Sequence, residues 1–229
     1  MKKKVAILGY VTHYTKAPFG DPEFEIWGIN DMFRLEGVQR WDRWFQIHHP
    51  THYGVGPGRL NIEESLGVFA GWECPVYLWQ AHPGVKNSLS FPFRELIEKY
   101  GDYFNNTISW LIAFAIHEGF EEIHLYGVDM ASDSEYGHQK PSCEYFLGLA
   151  RGMGIKVYVP PESDLLKTRF LYAYEADKID RRNIRLREKL AYTKVNLQKV
   201  REEEERVKAA RYQYEGAIQA LQEIHSKDF

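Results

Sequence analysis

The chain has 229 residues, of which 44% are hydrophobic and 15% aromatic, and its formal net charge at pH 7 is -3. This length holds one sizeable domain with a buried core plus an appendage, and the aromatic content argues against a disordered protein. A charge so close to neutrality excludes a global basic field for nucleic acid, although local basic patches remain compatible with it.

The cysteines and the N-terminal residues exclude further classes of protein. Cys74 and Cys143 show neither a CxxC nor a metal-ligand spacing, which disfavours a disulfide framework and a structural zinc. The apolar run after the basic start is only about five residues long, too short for a signal sequence or a membrane span. We therefore expect a soluble, cytoplasmic protein.

The first predicted element is a short buried strand over residues 4–9, followed by a long loop over residues 10–24. A dinucleotide-binding fingerprint needs GxGxxG at this point, and only Gly9 is present. The sequence therefore excludes a nicotinamide-dependent dehydrogenase of that type.

A second strand is predicted over residues 24–30 and a third over residues 41–47. The second strand ends at Asn30, which is either a ligand contact at a carboxyl end or a simple turn residue. Three histidines follow the third strand, namely His48, His49 and His52. Their spacing on a Pro- and Gly-rich loop matches no standard helical set of zinc ligands, so ligand-lining or plain loop histidines are favoured over a metal site.

The middle of the chain predicts two helices and a strand. Residues 59–71 are expected to form a short helix, residues 75–80 a fourth strand and residues 92–100 a second helix that Gly101 ends. The segment 81–91 is expected to be irregular, of the kind that forms a lid or a substrate loop.

The stretch from residue 104 to residue 161 predicts the fold class. Asn106 or Thr107 caps an apolar helix that Gly119 stops, and residues 121–128 form a buried strand. A further helix, glycine and strand over residues 145–159 makes the connection a parallel crossover. We predict a single Rossmann-like α/β domain with a mostly parallel sheet and helices on both faces.

A polar loop directly follows the strand at 121–128. It contains Asp129, Asp133, Tyr136 and His138. Singly, Asp129 can be a turn residue and His138 an ordinary surface histidine. Ligands in open parallel sheets bind beyond the carboxyl ends of the strands, so together these residues indicate a site.

The character of the chain changes at its end, and we predict an α/β domain over residues 1–170 and a long helix within 171–229. A heptad seam with alternating spacings of four and three runs through Leu186, Leu190, Thr193, Leu197, Val200, Glu204, Val207, Arg211, Tyr214, Ile218 and Leu221. A continuous helix over residues 177–224 is about 70 Å long. It is expected to pair with a second copy or a partner, or else to lie across its own domain.

Several pieces of the sequence share their order with a known family. They are KKVAILG, GIND, NNTISWLIAFAIHEGFEEIHLYGVD, YGHQKPSCEYFL and GIKVYVPPES, spread over about residues 3 to 165. In this order the chain resembles the bacterial sialyltransferases that extend lipooligosaccharides. It also resembles a related set of bacterial, archaeal and phage proteins that includes pterin pyrophosphokinase-like members.

The resemblance implies roles for particular residues. Asn30 is expected to touch the nucleotide, Thr107 and Ser109 to hold the donor, and His138 to act as general base. The first loop departs from the family, because Gly9 is followed by Tyr10, Val11 and Thr12 in place of its Asn-Gly-x-Ser turn. The donor can therefore differ from a CMP-sugar, or catalysis can be lost.

The implied reaction is glycosyl transfer from a nucleotide-activated sugar. His138 and Asp129 are the expected catalytic residues. The expected nucleotide and donor contacts are Gly9, Asn30, Asn106, Thr107, Ser109, Tyr126, Asp133 and Tyr136. No tightly bound cofactor is expected, and a divalent metal is compatible with the sequence but not required by it, because the strand end reads D-M-A-S-D rather than D-x-D.

Two alternatives remain open, as does the acceptor. The chain can be a nucleotide-dependent pyrophosphoryl or other group transferase, or a non-catalytic nucleotide-binding assembly protein that acts through its C-terminal helix. The acceptor can be a glycan, a protein or a modified DNA base. DNA requires cations around the site, and the candidates are Lys16, Arg34, Arg40, Arg43, Arg59 and Lys86.

Overall fold

The computed structural model describes residues 3–53, 61–130, 135–168, 171–174 and 176–225. In the helix that begins at residue 135, side chains are described from residue 138 onward. In the helix that begins at residue 176, they are described for residues 186–222. The chain divides into two units, Met1–Lys167 and Thr168–Phe229.

The first unit is built on a parallel sheet that, within the described residues, has seven strands. These are β1 (Lys4–Leu8), β2 (Phe24–Ile29), β3 (Arg43–Gln46), β4 (Val76–Leu78), β5 (Ser88–Ser90), β6 (Glu122–Tyr126) and β7 (Lys156–Tyr158). Their order is β5-β4-β3-β2-β1-β6-β7, and every neighbouring pair is parallel. This arrangement, with helices on both faces, confirms the predicted fold class.

The described helices are α1 (Ile62–Phe69), α2 (Phe93–Tyr100), α3 (Thr107–His117), α4 (Glu135–Gly152) and α5 (Ala176–His225). Short 3₁₀ turns at Thr12–Lys16, Met32–Arg34 and Pro50–His52 follow the first three strands. Helix α3 packs against β1 and α4, and α4 packs against β7. The residues from Leu111 to Ile116 are all buried, as expected for a helix that is apolar almost all round.

Aromatic side chains fill the core where β2 and β3 meet α3. Trp27, Trp44 and Phe45 are fully buried, and Phe114 packs against Trp27 with ring centroids 5.5 Å apart. Trp44 packs on Phe33, Trp41 and Trp72 instead of α3, and Gly28 leaves room for its ring, since a Cβ on Gly28 would lie 2.1 Å from it. The carboxyl ends of the central strands are thereby held by a rigid core.

Two expectations about local structure are wrong. The segment predicted to be irregular contains β5, whose Ser-Leu-Ser sequence lacks the apolar run of a buried strand because it lies at the edge of the sheet. His138 was expected in a loop but lies in α4, which begins at Glu135 and continues through Pro141. Proline inside a helix removes a hydrogen bond, so the sequence falsely indicated a later start.

Helix α5 is continuous for 50 residues, which corresponds to about 75 Å. Seam side chains such as Leu190, Val200 and Ile218 are exposed. Within the described parts of the chain, none of the helices combines the length and the hydropathy that crossing a bilayer demands.

Candidate functional site

A cavity of about 770 Å³ opens at the carboxyl ends of β1, β2, β3 and β6, beside the start of α3. The chain runs outward from β1 through β2 on one side and from β6 through β7 on the other, so β1 and β6 flank the topological switch point of the sheet. Such a point is where open α/β sheets bind ligands. Five predicted site residues line the cavity, namely Gly9, Asn30, Asn106, Thr107 and Asp129.

Two glycines form the part of the cavity where β1 and β6 end. The Gly9 N–H donates to the Tyr126 carbonyl at 2.7 Å, and the Val11 N–H donates to the Gly127 carbonyl at 2.9 Å. A Cβ on Gly127, whose φ is +72°, would lie 2.1 Å from the Gly9 carbonyl oxygen. Backbone therefore forms this surface, because no side chain fits between the two strand ends.

Asn30 presents an amide oxygen without a partner. Its backbone is fixed at both ends, because its N–H donates to the Phe45 carbonyl at 2.9 Å and its carbonyl accepts from Trp44 Nε1 at 2.8 Å. Its φ of +48° is a conformation that asparagine tolerates better than most residues. Among the described residues, its Oδ1 is a buried atom with no hydrogen-bond partner. A buried acceptor in this condition is suited to a ligand N–H or O–H.

An asparagine pair joins the starts of α3 and α4 at the cavity. Asn106 caps α3 by accepting from the Ser109 N–H at 2.9 Å, and its Nδ2 donates to the Gln139 carbonyl at 3.0 Å. Asn105 Oδ1 accepts from the Ser142 hydroxyl at 2.6 Å, and its Nδ2 donates to the His138 carbonyl. The two helices are therefore held together at their N-terminal ends.

The first turn of α3 is a local source of positive potential. The N–H groups of Thr107 and Ile108 have no intrahelical acceptor, because they precede the first i to i−4 bond of the helix. Both residues line the cavity. The helix dipole adds about half a positive charge at this end, which favours an anion.

Two of the three clustered histidines also line the cavity. His48 is half-buried, and its Nδ1 lies 2.7 Å from Oε1 of the buried Gln46. The centroid of the exposed His52 ring is 6.1 Å from that of His48. Burial and the neighbouring His52 lower the pKa of His48, while Asp31 raises it. His49 lies outside the cavity lining, where it accepts from the Thr51 N–H and packs on Trp79.

The remaining predicted residues are placed away from the cavity or outside the described structure. Ser109 is fully buried and donates its hydroxyl to the Asn106 carbonyl at 2.8 Å. Tyr126 packs against Tyr158 rather than lining the cavity, and burial raises its pKa to about 12. His138 is exposed and does not line the cavity. Asp133 and the side chain of Tyr136 lie outside the described residues.

Asp129 lines the cavity and is partly engaged. Its Oδ1 accepts from the Asp164 N–H at 3.1 Å, which ties the end of β6 to the segment after β7. Both readings from the sequence, turn residue and site residue, therefore fit its position. Within the described residues, no group of three or more His, Cys, Asp or Glu side chains is arranged to hold a metal ion.

Sequence reasoning did not identify several cavity residues as site residues. They are Tyr10, Phe104, Asn105, Trp110 and Gln139. Phe104 and Trp110 stack on each other with centroids 3.6 Å apart, and nothing in a sequence distinguishes a core aromatic pair from a cavity wall. The Asn105-Asn106 doublet before an apolar helix was a usable signal, because one amide suffices for the cap and the second is available for other contacts.

The basic residues considered for DNA binding are paired with carboxylates wherever they are described. The pairs are Lys16–Glu162, Arg34–Glu64, Arg40–Asp42, Arg43–Glu25 and Lys86–Glu73. Arg59 lies outside the described residues. In the described part of the chain, no lysine or arginine lines the cavity.

No protein-family model matches the sequence, and the search of curated proteins gave no match. Solved structures of similar fold include the sialyltransferase CstII from Campylobacter jejuni in complex with cytidine-5'-monophosphate, at 15% identity and a TM-score of 0.48 over 74% of this chain and 88% of that one. CstII in complex with CMP-3FNeuAc gives 18% identity and a TM-score of 0.49 over 70% and 82% of the two chains. The apo form of an alpha-2,3-sialyltransferase from the same organism gives 14% identity and a TM-score of 0.45, over 70% of this chain and 76% of that one. The likeness concerns the fold alone.

Proposed function

We propose that the cavity binds a nucleotide-activated sugar and that the protein is a glycosyltransferase. The observation that carries this proposal is the buried, unpartnered Oδ1 of Asn30 in the cavity at the switch point of a parallel sheet. A nucleoside supplies the N–H or O–H group that such an acceptor requires. The cavity volume of about 770 Å³ lies within the range of roughly 300–1,000 Å³ typical of small-molecule sites.

We propose that the phosphate of the donor binds at the start of α3. The N–H groups of Thr107 and Ile108 and the helix dipole there stabilise an anion without a metal or a basic side chain. As the bond to the sugar breaks, negative charge grows on the leaving phosphate, and preorganised donors at that point lower the barrier. The backbone at Gly9 and Gly127 permits close approach of the ligand to the strand ends.

A base must remove the proton of the acceptor hydroxyl during transfer. The resemblance assigns this role to His138, and that assignment remains a prediction. An exposed imidazole outside the cavity lining is less well placed for it than an imidazole within the lining. A glycan hydroxyl is the proposed acceptor, because each described cation that was a candidate for DNA binding is paired with a carboxylate and none of them lines the cavity.

We further propose that α5 pairs with a second copy of the chain. Its apolar seam recurs with the heptad spacing over Leu186–Leu221, and the apolar side chains of that seam are at least half exposed. An exposed seam of this length is typical of helices that associate.

The experiment is a screen of the full-length protein against CMP-, UDP-, GDP- and TDP-sugars, with nucleotide binding measured by calorimetry and donor consumption by chromatography. We expect one nucleotide class to bind and its sugar donor to be hydrolysed or transferred. Absence of binding and turnover across all four classes contradicts the proposal. ATP turnover that depends on Mg²⁺ would indicate the alternative group transferase instead.

A further inference from the structure

His48 stands at the end of β3 with its ring held in one orientation. Its Nδ1 lies 2.7 Å from Gln46 Oε1, and Gln46 is only 1% exposed. The Tyr53 hydroxyl donates to the His48 carbonyl at 2.8 Å, which fixes the backbone on the other side. A ring held by a buried side chain and by its own backbone is preorganised for a reaction.

The hydrogen bond to Gln46 determines the tautomer of His48. The Gln46 amide turns its oxygen towards the ring, and an amide oxygen only accepts hydrogen bonds, so this orientation assigns the proton to Nδ1 of His48. In the neutral ring the lone pair then lies on Nε2, the nitrogen that makes no contact with Gln46. His48 lines the cavity, so the ring that carries this basic nitrogen borders the space proposed for the ligand.

The surroundings of the ring favour its neutral form. The groups that act on it electrostatically are His52 from the Pro50–His52 turn and Asp31 from the turn after β2. Burial and His52 lower the pKa of His48, and Asp31 opposes them only in part. A neutral imidazole at pH 7 is available to take up a proton.

We propose that His48, oriented by Gln46, is the general base that deprotonates the acceptor hydroxyl, an inference that rests on the proposed function. Nε2 takes the hydroxyl proton as the acceptor oxygen forms its bond to the anomeric carbon of the donor sugar. The bond from that carbon to the nucleotide phosphate oxygen breaks, and its electron pair leaves with the phosphate. The imidazolium then releases the proton to water. Gln46 is a positioning residue, since it acts through His48.

The tautomer can be measured without any substrate. Two-bond ¹H–¹⁵N correlation spectra of the full-length protein at pH 7 are expected to show His48 neutral and protonated on Nδ1, with His48→Gln providing the assignment. In Gln46→Leu, the preference for that tautomer is expected to be lost. A His48 that is protonated on Nε2, or charged at pH 7, would overturn the inference.

Activity with the donor found in the screen provides the second test. His48→Gln is expected to lower kcat by about 10²- to 10⁴-fold while nucleotide affinity stays near that of the native protein. In Gln46→Leu, the pH profile of kcat is expected to shift. His49→Asn is the matched control, because His49 is in the same cluster but outside the cavity lining, and asparagine retains an acceptor for the Thr51 N–H. Its kcat is expected to stay unchanged.

Two results separate the failure of this inference from that of the proposed function. If the native protein transfers sugar and His48→Gln retains that activity while His138→Gln loses it, the base is His138 and only the inference is overturned. If the native protein binds no nucleotide, the proposed function fails, and the role of His48 as base fails with it.

Discussion

At the scale of single residues, close approach of backbone shapes the cavity. Gly127 has a φ of +72°, and the place of a Cβ there is taken by the Gly9 carbonyl. We predict that Gly127→Ala lowers the free energy of unfolding by about 2–5 kcal/mol, because it combines a left-handed backbone with a clash against main chain. Denaturant titration measures the change.

Gly148→Ala is the control for that substitution. Gly148 lies in the middle of α4 with nothing within 4 Å of its Cβ position, so alanine there is expected to stabilise the protein by about 0.5–1 kcal/mol. Equal effects of the two substitutions would show that the approach of β1 and β6 does not restrict residue 127.

Asn30 provides the residue-scale test of ligand binding. We predict that Asn30→Gly weakens nucleotide binding by about 5- to 150-fold, because it removes the unpartnered amide oxygen, while glycine adopts the φ of +48° without strain. Calorimetry measures the dissociation constant. Unchanged affinity in a folded Asn30→Gly variant would remove Asn30 from the binding site.

His13 is a buried histidine beside the cavity whose protonation is expected to destabilise the fold at acid pH. It is 7% exposed, and its Nδ1 accepts from the Gly127 N–H at 2.8 Å. Burial lowers its pKa, as it does for His48 and His124, so the unfolded chain binds more protons than the folded chain once the pH falls to about 6.5 and below. Stability from this source is present above that pH and is lost as the pH falls.

We predict that His13→Asn reduces the loss of thermal stability between pH 7 and pH 5, since asparagine can accept from the Gly127 N–H but does not titrate. Thermal unfolding followed by circular dichroism across that range measures the slope, and His49→Asn is the control. A slope identical to that of the native protein would show that His13 is not one of the groups responsible.

At the scale of elements, one capping residue serves two helices. Asn106 caps α3 and also donates to the Gln139 carbonyl of α4. We predict that Asn106→Ala lowers the free energy of unfolding by about 1–3 kcal/mol, through loss of the cap and of a partly buried hydrogen bond. Asn61→Ala, which removes the exposed cap of α1, is expected to cost less, and chemical denaturation of both variants gives the comparison.

The elements that were predictable from the sequence are those with strong local signals. The buried runs of β1, β2 and β6 and the Asn106 cap of α3 are visible as apolar stretches and a capping residue. Strand β5 was not predictable, because its pairing with β4 is a tertiary contact and its sequence is polar. The start of α4 was obscured by Pro141.

The candidate site was partly predictable for the same reason. Residues such as Asn30 and Asp129 directly follow strands, so locating the strands located them too. The order of strands around the switch point cannot be read from local sequence, and it is this order that brings His48 to the same cavity as Thr107.

At the scale of the whole molecule, the seam of α5 predicts the orientation of a dimer. Glu204 and Arg211 lie one heptad apart in the seam. A parallel pair in register places each beside its own copy, which is repulsive. An antiparallel pair whose two-fold axis passes near residues 207 and 208 instead brings Glu204 near Arg211 of the second copy. We predict an antiparallel dimer. Light scattering after gel filtration measures the molar mass and so shows whether the dimer forms.

Charge reversal tests that orientation. Glu204→Arg is expected to weaken the dimer, and the double variant Glu204→Arg with Arg211→Glu is expected to restore it. Removal of residues 171–229 is expected to give a monomer that still binds nucleotide. A monomeric full-length protein contradicts the proposed pairing of α5 with a second copy. A truncated protein that keeps its enzymatic activity but loses its role in the cell would favour an assembly function for the helix.

Because main chain rather than side chains closes the cavity at Gly9 and Gly127, that part of the site has a fixed chemistry. Its carbonyl and N–H groups do not depend on the residue type at these positions. Residues larger than glycine do not fit there, so they cannot introduce a new ligand contact. A change of ligand preference, in a natural variant or a designed one, is therefore expected to come from exposed side chains of the cavity wall such as Tyr10 and His52.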